Sequence, residues 1–167
     1  MLDVDNIDRR GERMIKKYIE LYHKGGKINR LRAIRMHHKV FRKFTCYIPP
    51  KVTIGENLYI AHPFNIGIGK TTVIGDNCKI YPGAYVAAGL ARDHELRDMG
   101  EGWHATIGND VLIGAKSTIV GHVTIGDDVT IGAGAMVTKD VPPHTVVKNV
   151  NEFRPKREDE IPDKYKN

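Results

Sequence analysis

The 167-residue chain has no run of about 18 apolar residues, so no transmembrane segment is expected. Its opening, Met1-Leu2-Asp3-Val4-Asp5, is acidic and lacks the apolar core of a secretion signal, and a cytoplasmic protein is the expectation. Cysteine is scarce. Cys46 and Cys78 offer no disulfide framework, and Cys78 falls where a small inward side chain is wanted, so a packed thiol is expected. Aromatic residues amount to 7% and are not interleaved with basic ones, which argues against a nucleic-acid partner. Residues 9–43 are short of negative charge: they hold thirteen Lys/Arg against Glu12 and Glu20, in a chain whose net charge is +6. The simplest reading of that segment is a solvated basic face.

Met14, Ile15, Tyr18, Ile19 and Tyr22 recur at helical spacing over residues 10–24, and Gly25-Gly26 ends the run. Asn29 is a candidate N-cap for a second helix, in which Leu31, Ile34, His38 and Phe41 share one face. His37 and His38 in that helix read as packing or surface residues. Pro49-Pro50 closes the helical part, because the residue before a proline avoids the α region and proline donates no backbone hydrogen bond.

Beyond it the period changes. Ile107, Ile113, Ile119, Ile125, Ile131 and Val137 recur every sixth residue, and Gly follows four of them. A six-residue period fits neither a helix nor a simple strand, but it fits a parallel β-helix with several short faces per coil. Four residues after each comes Val111, Ser117, Val123, Val129, Ala135 and Val141, a second inward column of small or β-branched side chains. The glycines of the Ile-Gly pairs suit corners at which a positive φ is needed. Upstream, Ile54, Ile60 and Ile66 hold one phase and Ile68, Ile74, Ile80 and Val86 another, a slip of two residues after Ala61-His62-Pro63-Phe64-Asn65. The phase is lost again between Val86 and Ile107, whose separation is not a multiple of six. The expected organisation is a helical segment over 1–46, a β-helix over 47–150 and a charged tail over 151–167, either loose or strapped across a neighbouring subunit.

Loops that break a rigid repeat are where function sits, and both breaks carry histidine. His62 stands at a proline-fixed bend. It reads either as a general base, since an imidazole can accept and release a proton near neutral pH, or as a structural histidine tied to a backbone carbonyl. His104 ends the long insertion, in Gly102-Trp103-His104-Ala105-Thr106, and His122 follows three hexapeptides later, one coil on if three hexapeptides make a coil. Such a pair raises the question of zinc, but neither is followed by a second ligand at short spacing, and no metal is expected. His94, in a charged loop, and His144, after Pro142-Pro143, are expected to be exposed.

From Cys46 to Val147 the chain resembles the serine O-acetyltransferase branch of the hexapeptide-repeat acyltransferases. The resemblance is carried by Leu58-Tyr59-Ile60-Ala61-His62, Ile66-Gly67-Ile68, Val73-Ile74-Gly75-Asp76-Asn77-Cys78-Lys79-Ile80, Trp103-His104-Ala105-Thr106-Ile107-Gly108, Ile131-Gly132-Ala133-Gly134-Ala135 and Lys139-Asp140-Val141-Pro142-Pro143. It implies a left-handed parallel β-helix, an exception to the right-handed rule for parallel crossovers. It also implies a homotrimer with acetyl-CoA lying between neighbouring β-helices. In that likeness His62 is the catalytic base and His104 the second active-site histidine. Ala88 and Gly89 lie near the thioester, and Ala115 and Ala133 let the pantetheine arm approach the main chain. The implied reaction is direct transfer to an acceptor hydroxyl.

Three positions differ from the housekeeping enzymes, which carry an Asp that orients the base, an Asp just before the base and an Arg just before the second histidine. Tyr47, Ala61 and Trp103 stand there in this chain. A zwitterionic acceptor would lose charged partners. Trp103 offers a flat face and Tyr47 a hydroxyl, so a sugar or polysaccharide hydroxyl is the alternative acceptor to L-serine. Two further classes share the scaffold: a metal-dependent hydratase of the carbonic anhydrase type, which would need three metal histidines per interface, and a non-catalytic β-helix.

Overall fold

The computed structural model describes residues 4–89 and 103–149; His94 and the charged tail lie outside the described residues. Two helices come first, α1 (Val4–His23) and α2 (Lys27–Phe44). Thirteen short strands follow among the described residues: β1 (Thr53–Ile54), β2 (Tyr59–Ile60), β3 (Gly67–Ile68), β4 (Val73–Ile74), β5 (Lys79–Ile80), β6 (Tyr85–Ala87), β7 (Thr106–Ile107), β8 (Leu112–Ile113), β9 (Thr118–Val120), β10 (Thr124–Ile125), β11 (Thr130–Ile131), β12 (Met136–Val137) and β13 (Val146–Val147). They form three parallel sheets, ordered β1-β4-β7-β10, β2-β5-β8-β11-β13 and β3-β6-β9-β12. This is a parallel β-helix of triangular section, as the six-residue period predicts.

The register defines the coil. Thr106 pairs with Thr124 and Thr118 with Met136, so a coil is three hexapeptides in each case. Both inward columns are buried as expected: Ile107, Ile113, Ile119, Ile125, Ile131 and Val137 in one, Val111, Ser117, Val123, Val129, Ala135 and Val141 in the other. Burying one such isoleucine is worth about 1.5–3 kcal/mol relative to leaving it in water. Ser117 enters the column at no polar penalty because its hydroxyl donates to the Gly114 carbonyl at 2.7 Å. Cys78 is fully buried, its thiol directed at the Gly108 carbonyl at 3.2 Å, and burial raises its pKa. It is the packed thiol expected.

The corner glycines have a different purpose from the one their spacing suggests. None in an Ile-Gly pair has a positive φ; that conformation falls two positions later, on Asn57, Asn77, Asp110 and Asp128. The pair glycines are instead pressed against the next coil. A Cβ on Gly75 would meet the Gly108 carbonyl oxygen at 2.6 Å, and one on Gly114 the Ala133 nitrogen at 2.7 Å. Side chains of the next coil fill the space above: Asp76 accepts the Glu56 N–H at 2.6 Å, Asn109 that of Asp76 at 2.8 Å, and Asp127 that of Asn109 at 2.6 Å.

The helices cap the first coil. Helix α1 begins at Val4, ahead of the apolar spacing that marks it in the sequence. Helix α2 begins at Lys27, because Gly25 and Gly26, at φ 76° and 80°, turn the chain and the Gly26 carbonyl accepts the Arg30 N–H, which leaves Asn29 inside the first turn. Its packed face is Ala33, His37, Val40 and Phe44. Leu31, Ile34 and Phe41, which share the other apolar face, are 58, 40 and 47% exposed. The small Ala33 lets the helix sit close against α1, whose Ile15 and Tyr18 are buried in the same core. Tyr18 ties the cap to the β-helix by donating to the Ile48 carbonyl at 2.6 Å.

Candidate active site

The two-residue slip after Ala61 becomes a bulged corner. Gly67 pairs with Tyr85, an ordinary coil of three hexapeptides, whereas Thr53 pairs with Val73 and Tyr59 with Lys79, each two positions further on than three hexapeptides allow. The extra pair is therefore confined to the turn between β2 and β3. His62 sits there with φ 45°, a left-handed conformation in a residue that has a Cβ. Its carbonyl accepts the Phe64 N–H at 2.6 Å, closing a very tight turn. Such a backbone costs on the order of 1–3 kcal/mol and persists where its surroundings fix it. Here the clamp is Pro63, buried beneath α1: a Cβ on Gly11 would collide with the Pro63 ring. The side chain of His62 remains exposed.

It opens into a cleft of about 610 Å³ lined by Tyr59, Ile60 and His62 from the corner and by Arg9, Glu12, Arg13 and Lys16 from α1. The i, i+3, i+4, i+7 spacing puts those four on one face of the helix. Sequence reasoning read them as part of a solvated basic stripe. The available signal was Gly11, a residue that costs about 1 kcal/mol relative to Ala inside a helix and therefore marks a close approach.

His104 occupies a different corner, between β6 and β7, and is buried. Its ring lies over Gly69, where any Cβ would overlap it. Its Nδ1 is 2.7 Å from the Thr71 hydroxyl, which also accepts the Trp103 N–H at 3.1 Å. A hydroxyl proton donated to Nδ1 would set the tautomer that carries the ring proton on Nε2. Thr71 was invisible in the repeat, since it lies on an ordinary coil and matters only through what packs on it. Losing such a part-buried hydrogen bond, with the His104 ring left buried, costs about 1–3 kcal/mol, so Thr71→Val is expected to lower turnover about tenfold with the fold intact. Steady-state rates beside far-ultraviolet circular dichroism check this, and unchanged turnover would remove His104 orientation from the account.

The remaining candidates divide between these corners. Ala115 and Ala133 belong to the same ridge as His62, one and two coils beyond the Tyr81-Pro82-Gly83 turn, and the Gly134 N–H bonds the Ala115 carbonyl at 2.8 Å. Ala88 and Gly89 follow β6 on the ridge that carries Trp103 and His104. Between the ridges runs the β3-β6-β9-β12 sheet, so one chain does not bring His62 and His104 together; the strand that separates them, with its flanks, spans roughly 15 Å at about 3.3 Å per residue. Tyr47 extends that sheet by pairing with Gly67, and its ring packs edge-on against His37 at 5.3 Å and Phe41 at 6.2 Å; it does not line the His62 cleft. Trp103 is half-buried, with Lys70 Nζ 4.7 Å from its ring centre and the His104 ring 5.6 Å away.

His122 is one coil from His104, as the Thr106–Thr124 pairing fixes, but it is exposed while His104 is buried. Among the described residues no three His, Cys, Asp or Glu side chains converge on a metal-sized site. His144 is exposed and 2.9 Å from Asp128. His37 is buried between Tyr18 and Tyr47, and burial, with His38 beside it, lowers its pKa. Burial pushes the Cys46 thiol up to about 12, so it is not poised as a nucleophile. Among the described residues no helix is long and apolar enough to cross a membrane.

Comparison with known proteins agrees with the architecture. A family model described as bacterial transferase hexapeptide (six repeats) matches residues 104–139. The serine acetyltransferase of Staphylococcus epidermidis is 37% identical over 126 residues, which cover 75% of this chain and 56% of that protein. The probable serine acetyltransferase 1 of Oryza sativa is 40% identical over 113 residues, 68% of this chain and 35% of that one. The chain thus spans about half, or less, of the length of these relatives. Among solved structures, the Neisseria gonorrhoeae serine acetyltransferase in complex with serine is 28% identical, with a TM-score of 0.68 over 84% of this chain and 53% of that one. The β-helix is of the left-handed kind.

Proposed function

Since the chain belongs to the serine O-acetyltransferase-like hexapeptide acyltransferases, we propose that it is an acetyl-CoA-dependent O-acetyltransferase with His62 as general base. The observation that carries the reading is the strained, projecting corner that holds His62 at the mouth of a cleft. An imidazole nitrogen of His62 takes the proton of the acceptor hydroxyl, the oxygen bonds to the thioester carbonyl carbon, and the carbon–sulfur bond breaks. The CoA thiolate then recovers the proton. Acetyl-CoA is the co-substrate, with its pantetheine arm along the Ala115 and Ala133 ridge. Stacked coils rise about 4.7–4.9 Å each, so that ridge reaches His62 three coils from Ala133, in roughly 14 Å.

The second half of the site comes from a neighbouring copy. A threefold arrangement sets the His62 ridge of one subunit against the Ala88, Gly89 and His104 ridge of the next, where the Nε2 proton of His104 would face the carbonyl oxygen as it gains charge. A hydroxyl amino acid of the serine type is the preferred acceptor. Tyr47, which a sugar would use, packs edge-on against α2 and does not line the His62 cleft, and Lys70 lies over one face of Trp103.

The test follows release of free CoA from acetyl-CoA with a thiol reagent, over L-serine, homoserine, simple sugars and nucleotide sugars. Turnover with serine or homoserine supports the reading, turnover with sugars alone reassigns the acceptor, and no turnover with any removes the activity. A mass in solution equal to that of a single chain, 18.7 kDa, at micromolar concentration would remove the shared site.

A further inference from the structure

We propose that Arg9 and Arg13 of α1 form an anion-binding subsite beside His62, so that the acceptor is a hydroxyl compound bearing a carboxylate or phosphate. The inference rests on the acyl-transfer reading of His62 and deepens it.

Two observations carry it. First, the helix that bears these residues is fixed against the base: Gly11 lies on Pro63 with no room for a Cβ, and Pro63 is the residue after His62. Second, the charges that line the cleft are unbalanced among the described residues. Glu12 pairs with Lys16 at 2.7 Å, and neither Arg9 nor Arg13 is paired with a carboxylate among the described residues, while Arg13 Nε donates to the Arg9 carbonyl at 3.1 Å and so is held along the helix. Tyr59 and Ile60, which face them from the β-helix, bring no charge. Two guanidiniums four residues apart on one helical face offer the fork geometry that matches a carboxylate or phosphate. Their cleft is where the acceptor hydroxyl must reach the base.

The experiment compares kcat/KM for two matched pairs, L-serine with L-serinamide and glycerol 3-phosphate with glycerol, at low and high ionic strength. In the native protein the member bearing the carboxylate or phosphate is expected to be preferred about 30-fold or more in at least one pair, the size of a lost charge-assisted hydrogen bond, with the preference shrinking as salt rises. Which pair shows it tells carboxylate from phosphate. Arg9→Gln with Arg13→Gln is expected to erase the preference by raising the acceptor KM while the KM for acetyl-CoA stays within about twofold. Arg10→Gln, which removes an exposed charge of the same helix outside the cleft, is expected to leave it unchanged. Equal use of charged and neutral partners overturns the subsite, as does a double variant whose loss falls on the KM for acetyl-CoA. If no acceptor releases CoA, the acyl-transfer reading has failed, and calorimetric titration of L-serine, L-serinamide, glycerol 3-phosphate and glycerol still decides the subsite: no anionic preference, or one that the double variant retains, ends it.

Discussion

His62→Ala is expected to lower acetyl transfer about 10²–10⁴-fold, the usual worth of a positioned general base. The substitution removes a side chain that is exposed at a corner, outside both inward columns, and it leaves the Phe64-to-His62 backbone bond in place. Alanine carries the same Cβ into the same left-handed backbone, so the strain of the turn is little changed and the fold should be retained. Binding of CoA along the Ala115 and Ala133 ridge should also survive. A purely structural histidine predicts the reverse, lost stability with retained turnover. Rates with the true acceptor, read beside a thermal melt and a CoA titration, separate the two, and wild-type turnover in His62→Ala would end the assignment.

Ile113→Ala is expected to destabilise the protein by about 2–5 kcal/mol, in the upper half of that range. Ile113 is fully buried and central in its sheet, paired with Ile80 on one side and Ile131 on the other. The cavity cannot collapse, because Gly114 already brings its coil against Ala133 and Gly75 brings the coil before it against Gly108. Those contacts set the coil spacing whatever fills the interior. Lys79→Ala, on an outward position of the neighbouring strand, is expected to change stability by no more than about 0.5 kcal/mol. Denaturant melts decide, and a wild-type midpoint for Ile113→Ala would mean that the isoleucine column is not what holds the coils together.

The β-helix was legible because a six-residue repeat with two inward positions has few other ways to bury itself, and both columns came out inside. The purpose of the glycines was not: sequence shows that a Cβ is missing without showing whether a positive φ or a neighbouring backbone excludes it. Nor could the period say which face of α2 packs, since Leu31 and Phe41 are more apolar than Ala33 and His37, and the geometry of the helix pair chose the smaller set. His62 and His104 were legible as interruptions. Their neighbours were not, because Thr71, Lys70 and the face of α1 reach the two corners across the fold, and only Gly11 hinted that a helix comes down on one of them.

Both departures from the three-hexapeptide coil rejoin it in register. Thr53 meets Val73 and Val73 meets Thr106, so a short addition at one corner and a far longer one at another left every strand with its partner. Corners of this scaffold therefore accept insertions of even and of odd length, provided that the chain re-enters with an aliphatic residue facing inward. In an antiparallel sheet a one-residue change would turn every following side chain to the opposite face. Here the graft ends where the next strand begins. Exchange of the His62 turn is expected to alter that corner while both inward columns of the β-helix stay unchanged.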